Sequence, residues 1–147
     1  MKQAKKQGTK QVAINGFGRI GRNIVRALVE SPRDDFRIVA INDLAPAETA
    51  ALLLELDSTH GRLACEISHG EDFIELDGHR ITYMRHREPE ACAWGEHGID
   101  LVMECTGIFT SAEAATRHLD AGAGRVLVSA PAKLSLIHIS EPTRPLY

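Results

Sequence analysis

Apolar residues along this chain fall in short blocks parted by glycine-rich or charged turns, and the period of the blocks changes from one to the next. Val12, Ala13 and Ile14 form a β-prone block that runs directly into Gly16-Phe17-Gly18-Arg19-Ile20-Gly21. Beyond it Ile20, Ile24 and Leu28 recur every fourth residue, with Val25 and Val29 widening the stripe, which predicts an amphipathic helix over Ile20–Ser31. Arg37–Asn42 predicts a second strand that ends at Asp43. After Pro46, the Ala-, Leu- and Glu-rich run Ala47–Leu56 predicts a second helix, with Leu52, Leu53 and Leu56 facing the sheet.

Leu56–Arg62 is polar and ends in glycine, so it predicts a loop. Between Cys65 and Arg85, short pieces (Glu66–Ser68, Phe73–Leu76, Arg80–Tyr83) are parted by His69-Gly70 and Asp77-Gly78, a hairpin signal that predicts a small antiparallel excursion. A short helix is expected over Glu90–Trp94. Ile99–Cys105 is almost continuously apolar, as a strand buried on both faces should be. Thr106-Gly107 reads as a turn. Ser111 reads as the N-cap of a helix over Ala112–Ala121; Ala114 stands three residues on, so no capping box is expected. Gly122 suits the helix end, and Arg125–Ser129 predicts a last buried strand before Ala130-Pro131. This order predicts an α/β fold, a doubly wound and mainly parallel sheet with a small antiparallel excursion.

The glycines then acquire chemistry. Gly16, Gly18 and Gly21 stand in the spacing G-x-G-x-x-G between a strand and a helix. Gly16 permits the tight turn, Gly18 lets a pyrophosphate approach the backbone, and Gly21 lets the helix pack closely on the strand; the free N–H groups at the helix start favour the phosphate charge. Asp43, about 22 residues after Gly21, stands where a Rossmann-type dinucleotide-binding domain carries a carboxylate for the adenosine ribose. Ligands bind such sheets at the carboxyl ends of the strands, here Asn15-Gly16, Asn42-Asp43, Cys105–Gly107 and Ser129-Ala130.

Bulk properties narrow the partners. The 147 residues are 44% hydrophobic and 25% charged with a formal net charge of -3, which gives no basis for binding nucleic acid or an anionic membrane. No apolar run approaches the roughly 20 residues of a membrane span. Residues 1–9 are polar and basic without the apolar centre of a secretory signal; they read as a disordered lead-in, and the protein as cytoplasmic. Cys65, Cys92 and Cys105 are too few and too far apart for a disulfide framework. His69, His79, His86 and His97 lack metal-ligand spacing, so they are expected on the solvated surface and no metal is expected. Asp57, Ser58 and His60 hold the residue types of a hydrolase triad, but loop neighbours rarely meet its geometry and no strand–Ser–helix elbow is present.

Five segments together, Ile14–Arg22, Ile41–Asp43, Asp57–Gly61, Glu104–Phe109 and Ser129–Lys133, resemble glyceraldehyde-3-phosphate dehydrogenases in order and approximate spacing, over roughly residues 10 to 133. The resemblance is to the N-terminal NAD-binding domain of that family and implies NAD as cofactor. It implies that Asn15, Gly16, Gly18 and Gly21 shape the cofactor turn, and that Arg19 and Ile20 lie along the pyrophosphate and the nicotinamide half. Asp43 would hold the adenosine ribose and favour NAD over NADP by repelling the extra phosphate. Arg87, in Arg87-Glu88-Pro89 where the family usually has Arg-Asp-Pro, would lie near the adenine. Thr106, Gly107 and Ser129 would line the path to the nicotinamide.

The family reaction that this implies is aldehyde oxidation: a thiolate attacks the aldehyde, hydride passes to NAD, phosphate releases the acyl group, and a histidine acts as base. The family's catalytic cysteine stands in a Ser-Cys-Thr-Thr-Asn motif beyond the matching region. Neither it nor the catalytic histidine is present here, so no catalytic residue is expected in this chain and catalysis by it alone is expected to be undetectable. Cys105 reads as an inert core thiol. Two alternatives stay open, a stand-alone nucleotide-binding module and a fragment of an erythrose-4-phosphate dehydrogenase. The complete enzyme would be a homotetramer by resemblance. Residues 134–147 depart from the family pattern and resemble translated sequencing-adapter readthrough. Ser135–Ser140 could pass for a strand, and the tail is expected to pack poorly. The domain reading is therefore a lead-in at 1–9, an incomplete NAD-binding domain at 10–133 and a non-family tail at 134–147.

Overall fold

The computed structural model describes residues 9–57, 61–130 and 135–139. The chain opens with β1 (Lys10–Asn15), α1 (Arg19–Glu30), β2 (Phe36–Asn42) and α2 (Ala47–Glu55). A two-residue ladder follows, β3 (Leu56–Asp57) against β4 (Gly61–Arg62). Then come β5 (Ile67–His69), β6 (Phe73–Leu76), β7 (His79–Met84), two 3-10 turns at Pro89–Cys92 and Trp94–His97, β8 (Leu101–Glu104), α3 (Ser111–Asp120), β9 (Arg125–Ala130) and β10 (Ser135–Ile139). Eight strands make one sheet in the order β10-β9-β8-β1-β2-β7-β6-β5. The run from β9 through β7 is parallel, and β10, β6 and β5 join antiparallel. This is the α/β architecture that the alternation of blocks predicts.

The core follows the two-residue period of a strand. Val12 and Ile14 of β1 face a cluster with Ile41, Leu54, Ile74 and Ile81. Ala13, between them, points to the opposite face, where it joins Ala40, Val102, Trp94 and Ile99. The central strand is thus buried on both sides, as a parallel strand at the middle of a doubly covered sheet must be.

The expected small antiparallel excursion is present as β5–β6–β7, with a hairpin closed by Asp77-Gly78, and it widens the main sheet because β7 pairs in parallel with β2, Ala40 opposite Thr82. Other expectations are corrected. Leu52, Leu53 and Leu56 do not face the sheet; they are 55%, 44% and 47% exposed. The inward stripe of α2 is Ala47, Ala50, Ala51 and Leu54, whose spacing fits one helix face and whose small side chains bring the helix close to the sheet. The expected loop at Leu56–Arg62 carries the β3–β4 ladder, held by Arg26 of α1, which donates to Leu54 O at 2.5 Å and Gly61 O at 2.6 Å. Ser58 and His60 lie outside the described residues, as does the side chain of Asp57.

The N-cap of α3 is Thr110 and not Ser111, and the capping box is present. Glu113 N donates to Thr110 Oγ1 at 3.1 Å, and Thr110 N donates to Glu113 Oε1 at 3.4 Å. A shift of one residue brings Glu113, not Ala114, to the third helical position. The expected helix at Glu90–Trp94 is two 3-10 turns parted by Ala93, whose φ is +50°. The strand expected over Ile99–Cys105 narrows to Leu101–Glu104. His69, His86 and His97 are exposed, whereas His79 is partly buried with its Nε2 3.0 Å from Ile38 O. The backbone of Ser135–Ile139 pairs antiparallel with β9; the rest of the tail and residues 1–8 of the lead-in lie outside the described residues, whereas Thr9 is buried and donates its hydroxyl to Asp34 O at 3.0 Å. Among the described residues, no helix is long and apolar enough to cross a membrane.

Candidate functional site

The crevice begins where β1 stops. Gly16 takes φ +97° and donates its N–H to Asn42 O at 2.8 Å, so the chain leaves β1 bound to the end of β2. A β-carbon on Gly16 would stand 2.7 Å from Thr106 Cγ2 and 2.8 Å from Thr106 N. Backbone conformation and space therefore both require glycine there. A β-carbon on Gly21 would stand 2.6 Å from Gly16 O, so the first turn of α1 is pressed against the glycine turn. Gly18 differs: nothing lies within 4 Å of where its β-carbon would be, and it is exposed. The residue that a phosphate would approach is the one that opens on free space.

The start of α1 is left without a cap. Gly18 is the N-cap, no side chain caps the helix, and its first turn has no acidic residue. No side chain of the helix itself satisfies its first-turn N–H groups or neutralises the positive end of its dipole, an arrangement that suits an anion. Arg19 is exposed and Ile20 partly buried at this edge. Arg22 Nη1 donates back to Phe17 O at 3.1 Å and braces the turn.

Asp43 flanks the turn at the end of β2. Its Oδ1 accepts from Phe17 N at 2.9 Å and its Oδ2 from Ala45 N at 3.1 Å. Each carboxylate oxygen keeps a second acceptor site, so the acid can shape the turn and still take a hydroxyl. Arg87 is exposed just beyond β7 on the same side of β1. On the other side stand Thr106 and Gly107, after β8, and Ser129, buried near the end of β9; Gly107 is exposed with φ +77°. The structure brings the described site residues to the carboxyl ends of four neighbouring strands, β9, β8, β1 and β2, together with the segment that leaves β7.

Beneath this crevice lies a polar chain that the sequence motifs do not announce. Glu104, the last residue of β8, is 1% exposed and accepts four hydrogen bonds. Asn15 Nδ2 and His118 Nε2 lie 2.7 Å from Oε1, Thr106 N lies 2.9 Å from Oε2, and Thr106 Oγ1 also donates to Oε2. His118, fully buried on α3, accepts the indole N–H of Trp94 on Nδ1 at 2.9 Å. Toward β2, Asn42 Nδ2 donates to Asn15 Oδ1 at 2.8 Å, and His86 N donates to Asn42 Oδ1 at 2.8 Å. The chain crosses the ends of β8, β1 and β2 directly under the glycine turn. Burial pushes the Glu104 carboxyl up, but its donors His118, Thr106 and Asn15 outweigh that and hold it below the usual carboxylate range. The available signal was a single acid ending the apolar block Leu101-Val102-Met103 and a histidine one turn after the buried Ala114.

The surroundings of the cysteines disfavour the thiolate. Burial, then the Glu104 charge, pushes Cys105 up to about 12; burial, Glu104 and Glu90 push Cys92 up to about 12. Burial also raises the half-buried Cys65. A separate cavity of about 560 Å³, lined by Gln11, Arg37, His79, Arg80 and His97 among others, includes no residue of the glycine crevice.

Comparison with known proteins bears on this geometry. The sequence model of the family described as glyceraldehyde 3-phosphate dehydrogenase, NAD binding domain, matches residues 10–112. A glyceraldehyde-3-phosphate dehydrogenase of Cereibacter sphaeroides is 54% identical over 123 residues, 84% of this chain and 36% of that protein. One of Geobacillus stearothermophilus is 51% identical over 123 residues, covering the same shares. One of Xanthobacter flavus is 53% identical over 122 residues, 83% of this chain and 36% of that protein. The chain therefore spans 36% of the length of these curated relatives.

Proposed function

This chain belongs to the glyceraldehyde-3-phosphate dehydrogenase family, as its NAD-binding domain, and from that premise we propose that it forms the cofactor half of an enzyme that oxidises an aldehyde with phosphate. NAD supplies the hydride acceptor. The uncapped start of α1, fronted by Gly18 with open space before it and backed by Gly16 locked against Thr106, carries the reading. The open space before Gly18 and the uncapped helix start support a pyrophosphate site there.

In this reading Asn15, Gly16, Gly18 and Gly21 shape the turn, and Arg19 and Ile20 run along the pyrophosphate toward the nicotinamide half. Asp43 accepts from the adenosine ribose and disfavours a 2′-phosphate. Arg87 borders the adenine, and Thr106, Gly107 and Ser129 line the nicotinamide path. Residues 10–133 are the incomplete NAD-binding domain, with 1–9 a lead-in and 134–147 outside the family pattern. The catalytic cysteine and histidine belong to the part of the relatives that this chain does not span. The complete protein is read as cytoplasmic and, by family resemblance, as a homotetramer.

Thermal melting of the chain against NAD and NADP tests the reading. The melting temperature rises with NAD concentration, by about 2.7 kcal/mol of added stability at a hundredfold excess over Kd. NADP gives a smaller rise, and aldehyde produces no NADH. A midpoint unmoved by millimolar NAD contradicts the assignment.

A further inference from the structure

Glu104 is a buried carboxylate with no cationic partner among the groups that hold it. Its four hydrogen bonds come from an amide, a backbone N–H, a hydroxyl and an imidazole. The imidazole is uncharged by its own geometry. Indole N–H can only donate, so His118 Nδ1 must accept from Trp94, and the ring hydrogen sits on Nε2, aimed at Glu104. A second ring hydrogen, on Nδ1, would put two donors face to face. The network therefore retains one net negative charge, and that charge reaches its surroundings: it helps to raise both Cys105 and Cys92.

Its position gives this charge a direction. Glu104 lies opposite Asn15 of β1 and Val128 of β9, and it holds Thr106, whose methyl and N–H back the glycine turn. Asp43 marks the adenosine end of the crevice, over β2 on the far side of β1. A dinucleotide whose pyrophosphate sits at the start of α1 must extend its other half over β8 and β9. That half is the one that changes charge on reduction: oxidised nicotinamide is a cation and reduced nicotinamide is neutral.

We propose that Glu104 is a positioning and selectivity residue whose buried charge, relayed to the site behind Thr106, makes the crevice prefer the oxidised dinucleotide over the reduced one. The proposal rests on the NAD reading above. The same charge opposes the pyrophosphate equally in both redox forms, so the comparison of the two isolates the nicotinamide. His118 and Trp94 serve to hold the charge in place without neutralising it.

The test is equilibrium binding of NAD+, NADH and ADP-ribose to the chain and its variants by titration calorimetry. The wild type binds NAD+ more tightly than NADH. Glu104→Gln, which removes the charge, lowers the NAD+/NADH preference about tenfold, while ADP-ribose binding holds or improves. His118→Lys, which neutralises the charge with a buried cation, shifts the preference in the same direction. His118→Gln, which can accept from Trp94 and donate to Glu104, leaves the preference at the wild-type value. General damage to the fold weakens all three ligands together and does not move the ratio. An unchanged ratio in a Glu104→Gln variant that still binds ADP-ribose overturns the proposal, as does a wild type that prefers NADH, a result that needs no variant to fold. If the wild type binds none of the three ligands, the NAD reading itself fails, and the selectivity with it.

Discussion

Helices α2 and α3 bury opposite kinds of residue. α2 carries three consecutive leucines and turns Leu52 and Leu53 outward, while its alanines and Leu54 meet the sheet. α3 is poorer in large apolar residues, yet it buries a histidine completely, beside Ala114 and Ala115. Hydrophobicity alone inverts both outcomes. What decides is register and partner. The α2 stripe is set by which face lets the helix approach closely, and His118 is tolerated inside because Trp94 and Glu104 satisfy both ring nitrogens. Much of the polar burial lies under the glycine turn, where it fixes strand ends, whereas the exposed Leu52 and Leu53 of α2 lie outside the crevice.

The sharpest way to break this contrast is Glu104→Leu. Removing the acceptor leaves Asn15, His118 and both Thr106 donors unmatched, at about 1–3 kcal/mol for each orphaned group before water recovers part of the loss. The expected loss of stability is about 4 kcal/mol, read as the urea midpoint. The acid limb shares this origin. The folded carboxyl is held below its ordinary value, so its contribution is fully present above about pH 4.3 and disappears as pH falls through the lowered folded value. Wild-type stability should therefore fall on acidification in that window, and less steeply in Glu104→Leu.

His118→Leu comes next, at about 2–3 kcal/mol, because it frees the Trp94 indole N–H and withdraws one donor from Glu104. A loss below about 0.5 kcal/mol in the same denaturation series would mean that the buried imidazole is only packing. Thr110→Ala removes the α3 capping box and should cost about 1 kcal/mol, with no effect on dinucleotide affinity. The smallest effect belongs to the other side of the comparison. Leu53→Gln on the outer face of α2 should stay within about 0.5 kcal/mol of wild type, and a large loss there would show that the leucines do pack.

The legible part of the molecule was the part written in backbone requirements. Gly16, Gly18 and Gly21 specify turn, approach and packing within six residues, and Asp43 follows at a spacing fixed by one helix and one strand, so the crevice could be outlined from local sequence. The strand blocks were legible for the same reason. The cap of α3 was misread by one position because Thr110 and Ser111 are both good caps, and only the reach of Glu113 distinguishes them. On α2 the leucines dominate the apolar pattern, whereas the close-packing stripe is made largely of alanines. Beyond the lone acid at the end of the β8 block and the histidine on α3, the Glu104 network is not legible in the sequence. Its members are 14, 24 and 89 residues apart, and they meet only after α3 and the Trp94 turn have settled beside β8.

The measurement that bears most directly on the account is amide NMR of this chain titrated with NAD. The largest shifts are expected on Phe17, Gly18, Arg19 and Ile20, with Asp43 on one side of them and Thr106 and Gly107 on the other, while Gln11, His79 and Arg80 around the separate cavity stay still. Shifts clustered at that cavity, with the glycine turn unmoved, would contradict it.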